Sequence, residues 1–483
     1  MSDSPATQTP PARRIKVFFP IYGLDGGGAE KVVINLANHL DRSTFEPVLI
    51  LLYMGGQYRS HLRPDVRVIE LYQRVSREPR EPAGPLKIRE LGWKRYLKEA
   101  LRRRLPPEWI ESYKRLRHGP WVEDLHQSKS RFRESLRNYI QRLRQKRLIT
   151  YYIEDFGVWG YIRQSTRDLL PELEAVLDQE GPGVILSNLL LANYLSIRVR
   201  EKRPWFTAVC IHNTLDDYQV RVEYRKSPLN QADAIVTVSR EVGRIFSRKF
   251  GPEKIRVINN PHDIHGIRRL AEEEVRHPWF APKDVPVVVG IGRLRRQKNF
   301  ELLLAACREI TRGRGPGLRL VILGEGPERN LLLKKIRRSG QQGNVSLPGW
   351  VPNPYPYLAR ADLFVLSSDW EGLPNTLIEA MACGVPVIST DCESGIREIL
   401  QDGTCGPIVR RGDRKGLVKA MLGLLENQEQ AALFRRRCRN RAMDFDISRQ
   451  LPRYEKLILE GMERNCATCG SLPLPPGRSG ISN

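Results

Sequence analysis

The spacing of apolar positions divides the chain into two regular stretches and one irregular one. From Ile15 it reads as a strand (Ile15–Phe19), a glycine turn, a helix (Ala29–Leu40) and two strands (Pro47–Leu52 and Val66–Leu71). Residues 74–165 break this rhythm. It resumes with strands at Val184–Ser187, Trp205–Cys210, Ala234–Val238 and Lys254–Ile258, and Asn259-Asn260-Pro261 closes the first domain, 15–261. A polar stretch to about Pro286 reads as a linker. A second alternation follows within 262–446: strand Val287–Ile291, helix Phe300–Thr311, strand Leu318–Leu323, helix Glu328–Gly340, strands Asn344–Leu347 and Leu363–Leu366, helix Asn375–Cys383, strand Pro386–Ser389. Short apolar strands alternating with helices predict two doubly wound parallel sheets, whose ligands lie at the carboxyl ends of the strands in the cleft between them. A last helix, Ser448–Met462 within 447–465, is long enough to cross back to the first domain.

Composition sharpens this picture without changing it. A length of 483 residues exceeds what one core sustains, and 41% hydrophobic content suits a globular chain. No window approaches the roughly 18 consecutive apolar residues of a spanning helix. Residues 1–14 are polar and Pro-rich without the apolar centre of a secretory signal, so a disordered cytoplasmic start is expected, with a disordered tail at 466–483. Most of the eight cysteines fall inside apolar runs, as reduced buried thiols do; Cys466 and Cys469 form a lone pair without a second pair of metal ligands. The net charge is +24, and residues 86–150 hold 19 Lys and Arg against 7 Asp and Glu, a local excess of 12. Trp93, Leu97, Leu101 and Leu105, then Phe132, Leu136, Ile140 and Leu143, fall at helical spacing within this basic insertion. It suits either an anionic membrane surface or a hairpin with a solvated face.

Three segments carry candidate chemistry. Ser367 to Pro386 contains Glu371 in a Gly/Pro loop after a strand and Glu379 one turn into a helix that Asn375 can cap. The loop and helix start, through Gly372, Leu373, Asn375 and Thr376, offer free amides and a positive dipole to a diphosphate. One acid can then accept sugar hydroxyls and the other both hydroxyls of a ribose. Upstream, Gly292 and Arg293 end a strand and Lys298 precedes a helix, placing two cations where leaving phosphates accumulate charge. Arg295 stands where a dinucleotide fingerprint needs its third glycine, which argues against a nicotinamide site. Near the start, Gly26, Gly27 and Gly28 precede Ala29, Glu30 and Lys31, a strand-to-helix turn that lets backbone approach a ligand. His212 follows a strand at its carboxyl end, Glu325 sits between Gly324 and Gly326, and Val351 follows Gly349-Trp350. Asp444-Phe445-Asp446 matches a metal-binding dyad literally but reads as the cap of the last helix, so no metal and no cofactor are expected.

The string from Ser367 to Pro386 resembles the E-x7-E element of the family-four (group 1) retaining glycosyltransferases, and the likeness continues through Ile388–Asp391 and Gly395–Glu398. The Gly292 segment is similar to the family's G-R-L…K element, and Gly26–Glu30 to its G-G-A-E element, with Lys31 where many members carry Arg. The resemblance implies a GT-B fold, a nucleotide diphosphate sugar as donor (most simply UDP carrying a hexose or N-acetylhexosamine) and front-face transfer without a metal. It implies catalytic roles for Arg293, Lys298, Glu371 and His212, and donor contacts from Gly27, Gly28, Gly292, Glu325, Val351, Gly372, Leu373, Asn375, Thr376 and Glu379. Gly26 and Glu30 would face the acceptor, expected to be a lipid-linked saccharide in surface polysaccharide or glycolipid synthesis. A cytoplasmic enzyme, peripheral on the inner membrane face, is the matching expectation. An epimerase or phosphorylase on the same plan, or a polyanion-binding protein, are the alternatives; no nucleic-acid reading element accompanies the charge.

Overall fold

The computed structural model describes residues 14–53, 56–74, 165–203, 205–213, 228–281, 283–313, 317–392 and 394–469. The basic insertion and both termini therefore lie outside the described residues. By compactness the chain falls into a large unit, 1–72 with 176–483, and a second, 73–175.

The large unit holds two parallel sheets. The first contains β1 (Ile15–Ile21), β2 (Phe45–Leu51), β3 (Arg67–Glu70), β4 (Val184–Asn188), β5 (Thr207–Ile211), β6 (Ala234–Thr237) and β7 (Ile255–Val257), in the order β3-β2-β1-β4-β5-β6-β7. The second contains β8 (Val287–Ile291), β9 (Arg319–Leu323), β10 (Val345–Gly349), β11 (Leu363–Leu366), β12 (Val387–Asp391) and β13 (Ile408–Arg410), in the order β10-β9-β8-β11-β12-β13. Every pairing is parallel. β4 and β5 are buried at every position, and β1 and β2 at all but one, which is why they read as continuous apolar runs instead of alternating ones. In each sheet the strand order reverses once, between β1 and β4 and between β8 and β11. These reversals leave crevices at the strands' carboxyl ends.

Among the described residues, besides a helical stretch over 165–180, the helices are α1 (Gly28–His39), α2 (Leu190–Arg200), α3 (Arg240–Phe250), α4 (Ile264–Leu270), α5 (Phe300–Arg312), α6 (Arg329–Arg338), α7 (Tyr355–Arg360), α8 (Asn375–Cys383), α9 (Ile396–Leu400), α10 (Arg414–Glu426), α11 (Gln428–Ala442) and α12 (Ile447–Cys469). Residues 262–286 are not the plain linker their polarity predicts. Asp263 caps α4 by accepting from the Gly266 amide at 2.7 Å, and Ile264, Ile267 and Phe280 are buried in a cluster shared by both sheets. Apart from the buried His262, the polar residues of that stretch stay at least partly exposed, and buried apolar side chains anchor it.

Two chain crossings connect the lobes and pair with each other. His262 donates its amide to Phe445 O (3.0 Å) and accepts from the Ile447 amide (2.8 Å). Asp446 accepts from the amides of Ser448 (3.0 Å) and Ile264 (3.2 Å), so it caps α12 and ties both crossings together. α12 then packs on the first sheet: Tyr454, Leu457, Ile458 and Met462 join Val17, Phe19, Leu36 and Phe206 in one cluster. Burying each such side chain contributes about 1.5–3 kcal/mol. Asn465 fixes the far end, accepting from the Phe206 amide (2.6 Å) and donating to Gly183 O (3.2 Å). The helix continues through Cys466 to Cys469, past the end that the Gly/Pro/Ser-rich tail predicts for it. The six described cysteines outside that helix are free and buried.

Candidate functional site

The predicted residues collect at the two reversals. On the first lobe these are the loop after β1, leading into α1, and the carboxyl ends of β4 and β5. On the second they are the turn after β8, the loop from β11 into α8, and the end of β9. Lys298 lies in a short turn between β8 and α5, its stem packed over Gly292: a Cβ on that glycine would stand 2.9 Å from Lys298 Cε. Gly324 is required more strictly, because its φ is +141° and a Cβ would meet Gly292 O at 2.0 Å.

Three acids in the cleft are almost fully buried: Glu30 (6% exposed), Glu371 (5%) and Glu379 (1%). Each is met by a cation. Lys298 Nζ lies 2.6 Å from Glu371 Oε1, which also accepts from Ser368 Oγ at 2.6 Å. Arg293 Nη2 lies 3.5 Å from Glu30 Oε1 across the lobes, and Glu30 Oε2 accepts from the Gly27 amide, closing α1 with a carboxylate at its positive end. Burial raises the Glu30 pKa against the opposing pull of Gly27 and Arg293. Lys31 Nζ lies 2.7 Å from Glu379 Oε1, again across the lobes. Paired charges are what such burial demands, since an isolated buried carboxylate would protonate. The Arg293 side chain remains 49% exposed, available to a ligand in the cleft.

The lobes also touch through neutral groups. Asn375 does not cap α8 as the sequence suggested. Pro374 holds the cap position, and the Asn375 amide instead donates to Gly28 O (2.9 Å) and accepts from Asn260 Nδ2 (2.7 Å). A Cβ on Gly28 would stand 2.9 Å from Asn375 Nδ2, and one on Gly372 only 2.1 Å from His212 O. Gly28 thus leaves room for the Asn375 side chain, and Gly372 for the His212 backbone, of the opposite lobe. Gly26 differs: its φ of +101° favours glycine, whereas a Cβ there would make only ordinary contact with Trp350 Nε1 at 3.5 Å. Leu373 is buried, and Thr376 Oγ1 is buried without a partner among the described residues.

His212 is held in one tautomer. Asn188 donates its Nδ2 to Leu186 O (2.8 Å), leaving Oδ1 to accept, so His212 donates through Nε2 at 2.8 Å. Its Nδ1 is buried, unpartnered among the described residues and unprotonated, an acceptor suited to a hydroxyl. Burial pushes the His212 pKa down to about 4, so the ring is neutral near pH 7. Two predicted residues stand apart from the ion pairs: Glu325 is half-exposed and pairs with Arg329 at 3.2 Å, and the side chain of Val351 packs against the core. Sequence reasoning missed Lys31 as a cleft cation, with Tyr58 and Tyr355 beside it. The signal it gave was its place one residue after Glu30, where many members of the resembled family carry Arg. Among the described residues no group of three or more metal-ligating side chains occurs, and Asp444 and Asp446 are engaged with Arg441, Arg449, Ser448 and Ile264.

Two doubly wound domains bring glycine loops, a helix start and paired charges to one cleft at the strand reversals, where folds of this kind take ligands. Comparison with known proteins specifies the class. Residues 271–442 match the family described as Glycosyl transferases group 1, and residues 141–265 match Glycosyltransferase Family 4. The chain is 32% identical over 256 residues to a lipopolysaccharide core biosynthesis glycosyltransferase, LpsE, of Rhizobium meliloti, covering 53% of this chain and 69% of that protein. It is 32% identical over 267 residues to an uncharacterized glycosyltransferase of Methanocaldococcus jannaschii (48% of this chain, 64% of the relative). It is also 32% identical over 195 residues to an N-acetylgalactosaminyltransferase of Campylobacter jejuni that acts on a diphospho-undecaprenol-linked sugar (40% and 51%). The match thus spans between half and about two thirds of these relatives. Among solved structures, Anabaena HepE in complex with UDP superimposes with a TM-score of 0.60 at 16% identity over 92% of this chain and 100% of that one. Staphylococcus aureus TarM, in complex with UDP among other ligands, gives 0.63 at 13% identity over 92% and 99%. The chain belongs to the group 1, family-four glycosyltransferases, and its fold is GT-B.

Proposed function

We propose that the chain transfers a hexose or N-acetylhexosamine from a UDP-sugar to a saccharide acceptor, with retention at the anomeric carbon and without a metal ion. The observation that carries this reading is the convergence of Arg293, Lys298 and the start of α8 on one cleft, with Glu371 and Glu379 beside them. The anomeric C–O bond breaks with its electron pair going to the diphosphate. The guanidinium, the ammonium and the free amides of α8 stabilise that charge. The acceptor oxygen bonds to the same face of the sugar, and its proton passes to the departing phosphate oxygen. Glu371, held by Lys298 and Ser368, accepts a donor-sugar hydroxyl, and His212 Nδ1 accepts another. Glu379 takes the ribose hydroxyls. Lobe closure aligns the two substrates.

The UDP complexes of HepE and TarM support the donor, and the Campylobacter relative supports a lipid-linked acceptor. Among the described residues no helix is long and apolar enough to cross a membrane, so reaching such an acceptor falls to the basic residues 86–150, which lie outside the described residues. Anionic vesicles should float the full chain and not a version lacking 86–150; equal flotation removes the membrane role. The reaction itself is tested with a panel of labelled nucleotide sugars. Release of free UDP only when acceptor is added, with an α-configured product from an α-configured donor, is expected. Interconversion of donor sugars without acceptor would select an epimerase, and phosphate-dependent cleavage a phosphorylase.

A further inference from the structure

Lys31 takes no part in the transfer step proposed above, yet a buried carboxylate and two tyrosines surround it. Its ammonium leaves the first turn of α1 and enters the opposite lobe, 2.7 Å from Glu379 Oε1 and 3.3 Å from the Tyr355 hydroxyl, which it meets as donor. It also lies 5.8 Å and 5.3 Å from the ring centroids of Tyr58 and Tyr355. Burial works against its charge, but Glu379, Tyr355 and Tyr58 outweigh burial and hold its pKa well above that of an ordinary lysine. Glu379 is 1% exposed, and its second oxygen, Oε2, is buried with no partner among the described residues. Thr376 Oγ1, one turn earlier on α8, is likewise buried and unpartnered. A buried carboxylate stays ionised only beside a counter-charge, and an ionised carboxylate holds a hydroxyl more strongly than a neutral one.

We propose that Lys31 is a positioning residue for nucleotide recognition: by holding Glu379 through Oε1 it keeps Oε2 as a charged, oriented acceptor for a ribose hydroxyl. Because Lys31 comes from the lobe opposite Glu379, it does this only when the cleft is closed, so ribose recognition and closure are coupled. The inference rests on the reading of Glu379 as the acid that takes the ribose.

The test compares, by calorimetric titration, the nucleoside diphosphate that most raises the melting temperature of the wild type with its 2′-deoxy analogue. The wild type should prefer the ribose form by about tenfold or more, as for a hydroxyl held by a charged partner. Lys31→Met should bring that preference within about threefold, Lys31→Arg should restore most of it, and Lys31→Met should lose nothing further in a Glu379→Gln background. If Lys31→Met is too unstable to titrate, Lys31→Met/Glu379→Gln against Glu379→Gln carries the comparison, since neither leaves a buried unpaired charge. A Lys31→Met variant with the full wild-type preference overturns the inference alone. A wild type with no preference removes Glu379 from the ribose and the inference with it, leaving acceptor-dependent transfer to be judged separately.

Discussion

The two lobes meet at the cleft and again at an outer cavity of about 770 Å³ lined by Arg240, Asp391, Arg397, Glu398 and Arg441, among others. In the cleft, Lys31 and Arg293 reach from one lobe to buried acids of the other. At the outer cavity the ion pairs stay within one lobe: Arg397 binds Asp391 (2.6 Å) and Asp402 (3.3 Å), and Arg441 binds Asp444 (2.6 Å). What crosses there is neutral donation to Glu398, from the Arg240 amide (2.8 Å) and Asn259 Nδ2 (3.0 Å). The difference teaches that charge count does not identify a site. Both places pair cations with acids, but only in the cleft are the acids dry enough that losing a partner is costly.

The sharpest way to break this comparison is at the cleft cations. Arg293→Ala and Glu371→Ala should each lower turnover by on the order of 10²–10³ while the far-ultraviolet spectrum stays unchanged; near-native rates in both would equate cleft with cavity. Next comes stability. Lys31→Met leaves Glu379 buried beside no cation and should cost about 3 kcal/mol in urea unfolding, much of it recovered when Glu379→Gln is added.

A smaller effect follows pH. Burial holds His212 and His262 neutral down to about pH 4, whereas in the unfolded chain each protonates near 6.5. Between those values the unfolded state binds more protons, so stability falls as pH drops from 6.5 toward 4. Each imidazole should contribute a loss of about 1–2 kcal/mol between pH 7 and pH 5. His262→Gln should flatten that slope, and unchanged pH dependence would show the ring already charged. The smallest effect belongs to the outer cavity: Arg397→Ala, at a side chain 58% exposed, should shift stability by no more than about 0.5 kcal/mol and leave turnover alone.

The sheets were legible because buried parallel strands are written as apolar runs; β8, β11 and α8 fall at the residues read from the sequence, the other elements read there differ by a residue or two at their ends except α12, which runs seven residues further, and the short edge strand β13 was not read. α4 was missed because seven residues with two buried apolar side chains, Ile264 and Ile267, give too short a period to stand out beside His and Arg. Asn375 misled for a different reason. A small amide before an apolar helix is a capping signal, but Pro374 had taken the cap and the side chain served the opposite lobe.

What the sequence alone determined is the set of local motifs: the glycine turns, the G-R-L…K segment and the E-x7-E spacing, each encoded within a few consecutive residues. The partnerships among them came only with the tertiary structure. Lys31 and Glu379 are separated by 348 residues, and Gly372 and His212 by more than a hundred, so no periodicity links them. Whether a lysine is a solvated surface charge or the counter-ion of a buried acid depends on how much water remains around it, and folding across the cleft sets that.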